Sequence, residues 1–284
     1  LIGFLARRGD SAAQATIGTF LASQNRPADA TNWFRGASRK GNLLANSMLA
    51  RLYLQQARAT QDEQLKATAL ENVLENYLHA IALGSGEDMF QLGVLYLNGN
   101  YGEENQSSGV TLLKQAAEMP HSNAAMLLAN LHYLGNIVDQ DLPSARRYYV
   151  QASELDNADA QRFYARFLLD PTTAQPADPR AVDWLKDQAN EQDEAEAMLL
   201  LGNLHARGVG VKQSFRRAVG WFKNAVRSAP DDPSIVNEVA WTLTVSDLAK
   251  LKRARYALGI MEAMMTLDAD ARQRPEYLDT WAAA

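Results

Sequence analysis

The sequence predicts an all-α fold, a solenoid built from antiparallel helix pairs. Three observations carry it. Small residues recur on one spacing, with Gly93, Ala129, Ala165 and Gly202 standing 36, 36 and 37 residues apart. Sixteen residues after each comes a second small residue, at Gly109, Ala145, Ala181 and Ala218. No strand-like alternation of apolar and polar residues recurs anywhere. A period of this length marks a repeat array, in which each unit buries its apolar face only against its neighbours.

Each element follows from that ruler. Small residues at the anchor and sixteen further on let two helices approach closely. Three residues after the second small residue stand Leu112, Tyr148, Trp184 and Trp221, and seven after it Ala116, Ala152, Gln188 and Ala225. The aromatic residues of this set, with Trp33, are expected to fill the groove between one pair and the next. Gly99, Gly135 and Gly208 fall six after their anchors, where a helix end takes positive φ most cheaply in glycine. Asn105, Asp141, Asp178 and Ser214 stand where the second helix starts, and all are N-cap types. Pro143 and Pro179 fall in its first turn, where proline is tolerated. Upstream, Gly18 is followed by Ala30, Trp33 and Ala37 across a turn four residues shorter. Ala50 is followed, after a charged connection over 57–68, by a helix carrying Tyr77.

The pattern A-x-x-x-x-G-x-x-(Y/H)-x-x-G…A-x-x-W-(F/Y)-x-x-A resembles the Sel1-like repeat, a branch of the tetratricopeptide-like helical repeats. The resemblance runs through six copies from about Asp10 to Ser228 and implies a right-handed superhelical solenoid. Residues 1–230 then form six helix pairs. The segment 231–284 changes character: Trp241 lies in a first helix, and Pro275–Ala284 reads as the first helix of a further unit, so 231–284 resembles an ordinary tetratricopeptide unit followed by part of another. Both ends of the chain read as helical, so it is expected to be part of a longer protein, with the array continuing beyond Ala284.

Composition bounds the function. A net charge of −5 with interspersed signs gives no basic footprint for nucleic acid. No run approaches the roughly 18 apolar residues that a membrane span needs. Cysteine is absent, which excludes disulfides, thiolate metal sites and a thiol nucleophile. The stretch Arg207-Gly208-Val209-Gly210 could be taken for a phosphate loop. However, a helix precedes it instead of a strand, it lacks G-K-[ST], and it recurs in register with Gly99–Gly102 and Gly135–Ile137, so it reads as a connector. His132 and His205 occupy the slot of Tyr53 and Tyr96, two repeats apart, and read as packing residues. His79 and His121 have no partner at ligand spacing. Acidic pairs such as Glu103-Glu104 and Asp231-Asp232 sit at turns and helix starts, where the helix dipole favours them. No metal site, cofactor or catalytic constellation is expected, and the chain is read as no enzyme.

Function is therefore expected on the inner face of the solenoid, which in tetratricopeptide-like arrays is lined by first helices. Carried over by register, the positions one, four and five after the anchor and three before it face inward. They include Arg51, Asn98, Asn130, Tyr133, Arg162, Arg166, Asn203 and Arg207, and also Ser47, Phe90, Asp170 and Leu199. In peptide-binding members of the wider family, an asparagine one after the anchor bonds the ligand backbone, which draws attention to Asn130 and Asn203. The arginines suit an acidic tail or terminal carboxylate. The resemblance implies a scaffold that binds a protein or peptide segment, with homo-oligomerisation open, in a bacterial periplasm or envelope or else in the cytoplasm. A hydrolase acting on cell-wall substrates and a purely structural spacer are the alternatives.

Overall fold

A computed structural model describes residues 1–268 and 270–284, and among them every regular element is helical. The chain divides into two compact units, residues 1–131 with 135–139, and residues 132–134 with 140–284.

The first unit opens with a short helix α1 (Ile2–Arg7). Next come the pair α2 (Ser11–Ser23) and α3 (Pro27–Ser38), the pair α4 (Leu43–Ala59) and α5 (Glu63–Ala82), and the pair α6 (Gly86–Leu97) and α7 (Gln106–Glu118). The helix α8 (Ser122–Leu134) crosses the boundary between the units. The second unit holds α9 (Leu142–Glu154), the pair α10 (Ala158–Leu169) and α11 (Arg180–Glu191), the pair α12 (Ala195–Arg207) and α13 (Phe215–Ser228), the pair α14 (Pro233–Val245) and α15 (Ala254–Leu267), and α16 (Pro275–Ala283). In α4, α6, α10 and α12 the anchor residue is the eighth of its helix, and Ala240 holds the same place in α14.

The anchors are small for a reason one residue away from the expected one. Trp33, Tyr148, Trp184 and Trp221 are only half-buried. The fully buried residues are their neighbours Phe34, Tyr149, Leu185 and Phe222, with Leu113 in the remaining copy, each at most 1% exposed. The second helix turns the stripe Ala218, Phe222, Ala225 towards its partner, a spacing of four and then three, so Trp221 lies on the flank. A Cβ on Gly18 would come within 2.7 Å of the Phe34 ring, and one on Gly202 would overlap the Phe222 ring. In the copy with two glycines the backbones themselves meet, and a Cβ on Gly109 would stand 2.8 Å from the Gly93 carbonyl.

The turns follow a common plan. Gly99, Gly135 and Gly208 take φ of 71°, 70° and 75°, as their positions require. His132 and His205 each give their carbonyl to the first N–H of the returning chain, Asp141 and Ser214, at 2.9 Å in both cases. Asp141 and Ser214 then cap α9 and α13 through their side chains. Asn105 and Asp178 depart from the expected capping. Asn105 is the last residue of a 3₁₀ turn (Glu103–Asn105) and donates to the Tyr101 carbonyl instead. Asp178 lies one residue before the cap position and becomes the centre of a buried polar cluster. It accepts from Arg180 and from the Tyr164 hydroxyl at 2.8 Å each, and the Arg180 guanidinium holds its carboxyl down to about 2.

This packing orders two substitutions. Phe222→Ala should destabilise by about 3–5 kcal/mol, because it empties a filled site against Gly202. Trp221→Ala should cost less, although tryptophan is the larger side chain. Denaturant unfolding of both variants checks the order, and an equal or reversed cost contradicts the assignment of Phe222 as the packing residue.

Candidate partner-binding surface

The eight inward candidates fall into three physical situations. Arg51 on α4 reaches Glu87 on α6 at 3.5 Å. Glu87 also accepts from Gln91 at 2.8 Å and meets His121 Nε2 at 3.0 Å, while His121 Nδ1 accepts the Ala124 N–H and so caps α8. Hydrogen bonds from His121 and Gln91 hold the Glu87 carboxyl below its usual range against the opposing effect of burial. His121, expected to stand without a partner, therefore has one 34 residues away in sequence. Asn98 follows the last residue of α6 and is exposed, and Asn130 on α8 is half-buried and engaged in the fold.

In the second unit, Arg166 on α10 holds Glu196 on α12 with two bonds, at 2.8 and 3.3 Å. Arg162 reaches the same Glu196 at 3.3 Å, the Gln188 side chain at 2.9 Å, and Asp159 on its own helix. The Tyr133 hydroxyl donates to Asp170, which raises the phenol pKa and lowers that of the carboxyl, and the Tyr133 ring stands edge-on to Phe167 at 5.5 Å. These residues lie on the first helices as expected, but they tie neighbouring helices together. Two further inward positions are closed to a partner: Leu199 is 1% exposed inside the core, and Ser47 is bonded to buried Asp88.

The ion pairs obey a register. Arg51 and Arg166 each stand one after the anchor, and Glu87 and Glu196 are each the second residue of the next first helix. A cation at one position thus meets a carboxylate on the following repeat.

Asn203 and Arg207 are, with exposed Asn98, the open candidates. Neither has a side-chain hydrogen bond or ion pair among the described residues. Both line a hollow of about 340 Å³ with Ala206 from α12 and Trp241, Thr242 and Val245 from α14. Trp241 is 46% exposed and borders a second cavity on its other side. It stands one after Ala240, the register of Asn203 after Gly202, so aligning the tail on its small residue would have found it. Trp241 is an exposed aromatic outside the expected binding set.

The glycine turn is structural. Gly208 ends α12, with its N–H on the Leu204 carbonyl at 2.8 Å, and Gly210 passes so close to Asp178 that a Cβ would stand 2.7 Å from that carbonyl. His205 is 3% exposed, and burial lowers its imidazole pKa, helped by Arg217 and Lys186 against a backbone bond to Lys212. Among the described residues no group of three or more histidine or carboxylate side chains is placed to hold a metal ion, and no helix is long and apolar enough to cross a membrane.

The Sel1 repeat family model matches residues 86–121, 122–157 and 195–228. The segment 158–194 between the last two is not matched. It lacks the helix-ending glycine and carries a long proline-containing turn after Asp170. A Sel1-repeat-containing protein of Escherichia coli, YjcO, is 29% identical over 115 residues, 39% of this chain and 50% of that protein. The chain thus spans about half the length of the curated relatives it matches. Among solved structures, a Sel1 repeat protein from Oxalobacter formigenes is similar with a TM-score of 0.60 and 21% identity, covering 88% of this chain and 96% of that one. The uropathogenic Escherichia coli protective antigen c5321, with an SLR fold, gives 0.67 and 19%, covering 99% and 61%. These likenesses show the helical-repeat fold.

His205 sets a pH dependence. Its folded pKa lies below the unfolded value of about 6.5, so the unfolded chain binds the extra proton. Its contribution to stability is complete above that value, is lost as pH falls from it towards the folded pKa, and levels off below both. The melting temperature of His205→Phe should fall less than that of the parent between about pH 7 and pH 5. Parallel pH profiles for the two proteins would contradict this.

Proposed function

Because three of its segments are Sel1 repeats, we propose that this chain is a non-catalytic scaffold that binds a partner protein segment along the first helices of its second unit. Helical repeats of this kind generally serve as protein–protein interaction scaffolds, and their stacked helices present extended binding surfaces. The observation that carries the assignment to this surface is the stretch around Asn203, Arg207 and Trp241. The preceding first helices spend their charges on one another, through Arg162, Arg166 and Glu196. From Asn203 onward an asparagine, an arginine and a half-exposed indole face the hollows with no internal partner. Exposed tryptophan and arginine are the residue types that dominate binding energy at protein interfaces. An asparagine amide offers a donor and an acceptor to an extended peptide backbone.

The same reading assigns the protein to the bacterial cell envelope, on the strength of the resemblance. Fractionation of source cells with an antibody to the chain checks it. Signal in the periplasmic fraction is the expected result, and signal confined to the cytoplasm overturns it.

Capture from source-cell extracts tests the surface. The parent chain is compared with Asn203→Ala/Trp241→Ala and with Arg51→Ala, each first checked for an unchanged melting temperature. A discrete partner held by the parent and by Arg51→Ala, and lost by the double variant, is the expected outcome. A partner held equally by all three places binding elsewhere and contradicts the proposal.

A further inference from the structure

The cavity on the far side of Trp241 has a chemistry of its own. It lies between α14 and α16, encloses about 540 Å³, and is lined by Asn237, Glu238 and Trp241 from the first helix and Glu276 and Asp279 from the second. Three carboxylates border it and no lysine, arginine or histidine does. Arg274, at the start of α16, lies over the Tyr277 ring at 5.6 Å. Arg166, whose charge reaches Glu238, is held by Glu196 at 2.8 Å.

The repeat register says what is missing. Glu276 is the second residue of α16, as Glu87 is of α6 and Glu196 of α12. In both of those helices the carboxylate meets an arginine standing one after the anchor of an earlier first helix, Arg51 or Arg166. At the α14–α16 step that position is Trp241. The carboxylate is retained, and its cation is replaced by an aromatic face beside an open cavity. Burial pushes the Glu238 carboxyl above its usual range, against a lowering by the Arg166 charge, which Glu196 already holds. The Asn237 side-chain oxygen is shut away from solvent and accepts no hydrogen bond. These residues do not form a group placed to hold a metal ion.

We propose that this cavity receives a lysine or arginine side chain of the bound partner segment, its stem lying on the Trp241 indole and its charge taking the place of the absent arginine opposite Glu276, Glu238 and Asp279. The inference rests on the partner-segment reading and adds its specificity. An aromatic face next to carboxylates suits a cation with an aliphatic stem, through the ring quadrupole and charge-assisted hydrogen bonds. An acidic or wholly apolar side chain would leave the carboxylates uncompensated.

Selection of displayed random dodecapeptides on the intact chain, followed by titration of the enriched peptides, tests it. The expected result is enrichment of peptides with a lysine or arginine next to apolar residues. Their affinity should fall about tenfold or more in Glu276→Gln/Asp279→Asn, a loss of about 1.4 kcal/mol. The fall should be matched by exchanging the peptide cation for glutamine, and the two changes together should cost little more than either alone. Trp241→Ala should weaken every enriched peptide. Glu238→Gln alone, which adds no bulk, serves if the double variant melts early. Peptides that need Trp241 but carry no basic residue, or that ignore the carboxylate variants, overturn the cation site and leave the partner-segment reading standing. Failure to enrich any peptide whose binding needs Trp241 overturns both.

Discussion

The contact between a small residue on the first helix and a large buried side chain on the second sets the geometry of every pair it joins. Gly202 beside Phe222 and Gly18 beside Phe34 let the ring close against the first helix where a Cβ would stand. Gly93 and Gly109 achieve the same approach backbone to backbone. Interiors are packed too tightly to absorb a one-residue slip in such a contact. The first helices are therefore held in a constant register, with the anchor at the eighth residue of the helix from one repeat to the next. Everything on the exposed side of those helices inherits that register.

The ion pairs show the consequence. A residue one after the anchor meets the second residue of a later first helix, and Arg51–Glu87 and Arg166–Glu196 are two instances of one geometric rule. Such exposed pairs are worth about 0–1 kcal/mol each, so their value lies more in matching neighbours than in holding the fold together. Where the rule is satisfied internally the surface is closed to a charged partner. Among the positions that lack the arginine, Asn203 and Trp241 put unspent hydrogen-bonding groups and an indole beside open hollows. Function thus follows from departures from the repeat, and the repeat makes those departures visible.

Much of this was legible in the sequence. The period of the small residues gave the helix pairs, and Gly99, Gly135 and Gly208 marked the helix ends correctly because positive φ at those ends favours glycine. The errors have physical causes. Trp221 is half-buried and packs against the core, but the residue that meets the small anchor is its neighbour Phe222, on the stripe spaced four and then three, which the aromatic ruler did not pick out. Arg162 and Arg166 read as free inward charges because their partner Glu196 lies about a repeat further along the chain, beyond any local pattern. Asp178 read as a simple cap, and its bonds to Tyr164 and Arg180 depend on how the long turn after α10 folds back. Trp241 breaks the Sel1 spacing, which hides that the small residue before it, Ala240, puts it in the slot of Asn203.

The most direct measurement places a photo-crosslinking amino acid in the living source cell. One version carries it at Thr242, half-buried beside Trp241, and another at Arg216, exposed on a second helix. A discrete protein adduct from position 242 and none from position 216 is the expected result. Adducts from position 216 with none from position 242 would contradict the claim that the first-helix surface around Trp241 is where this protein holds its partner.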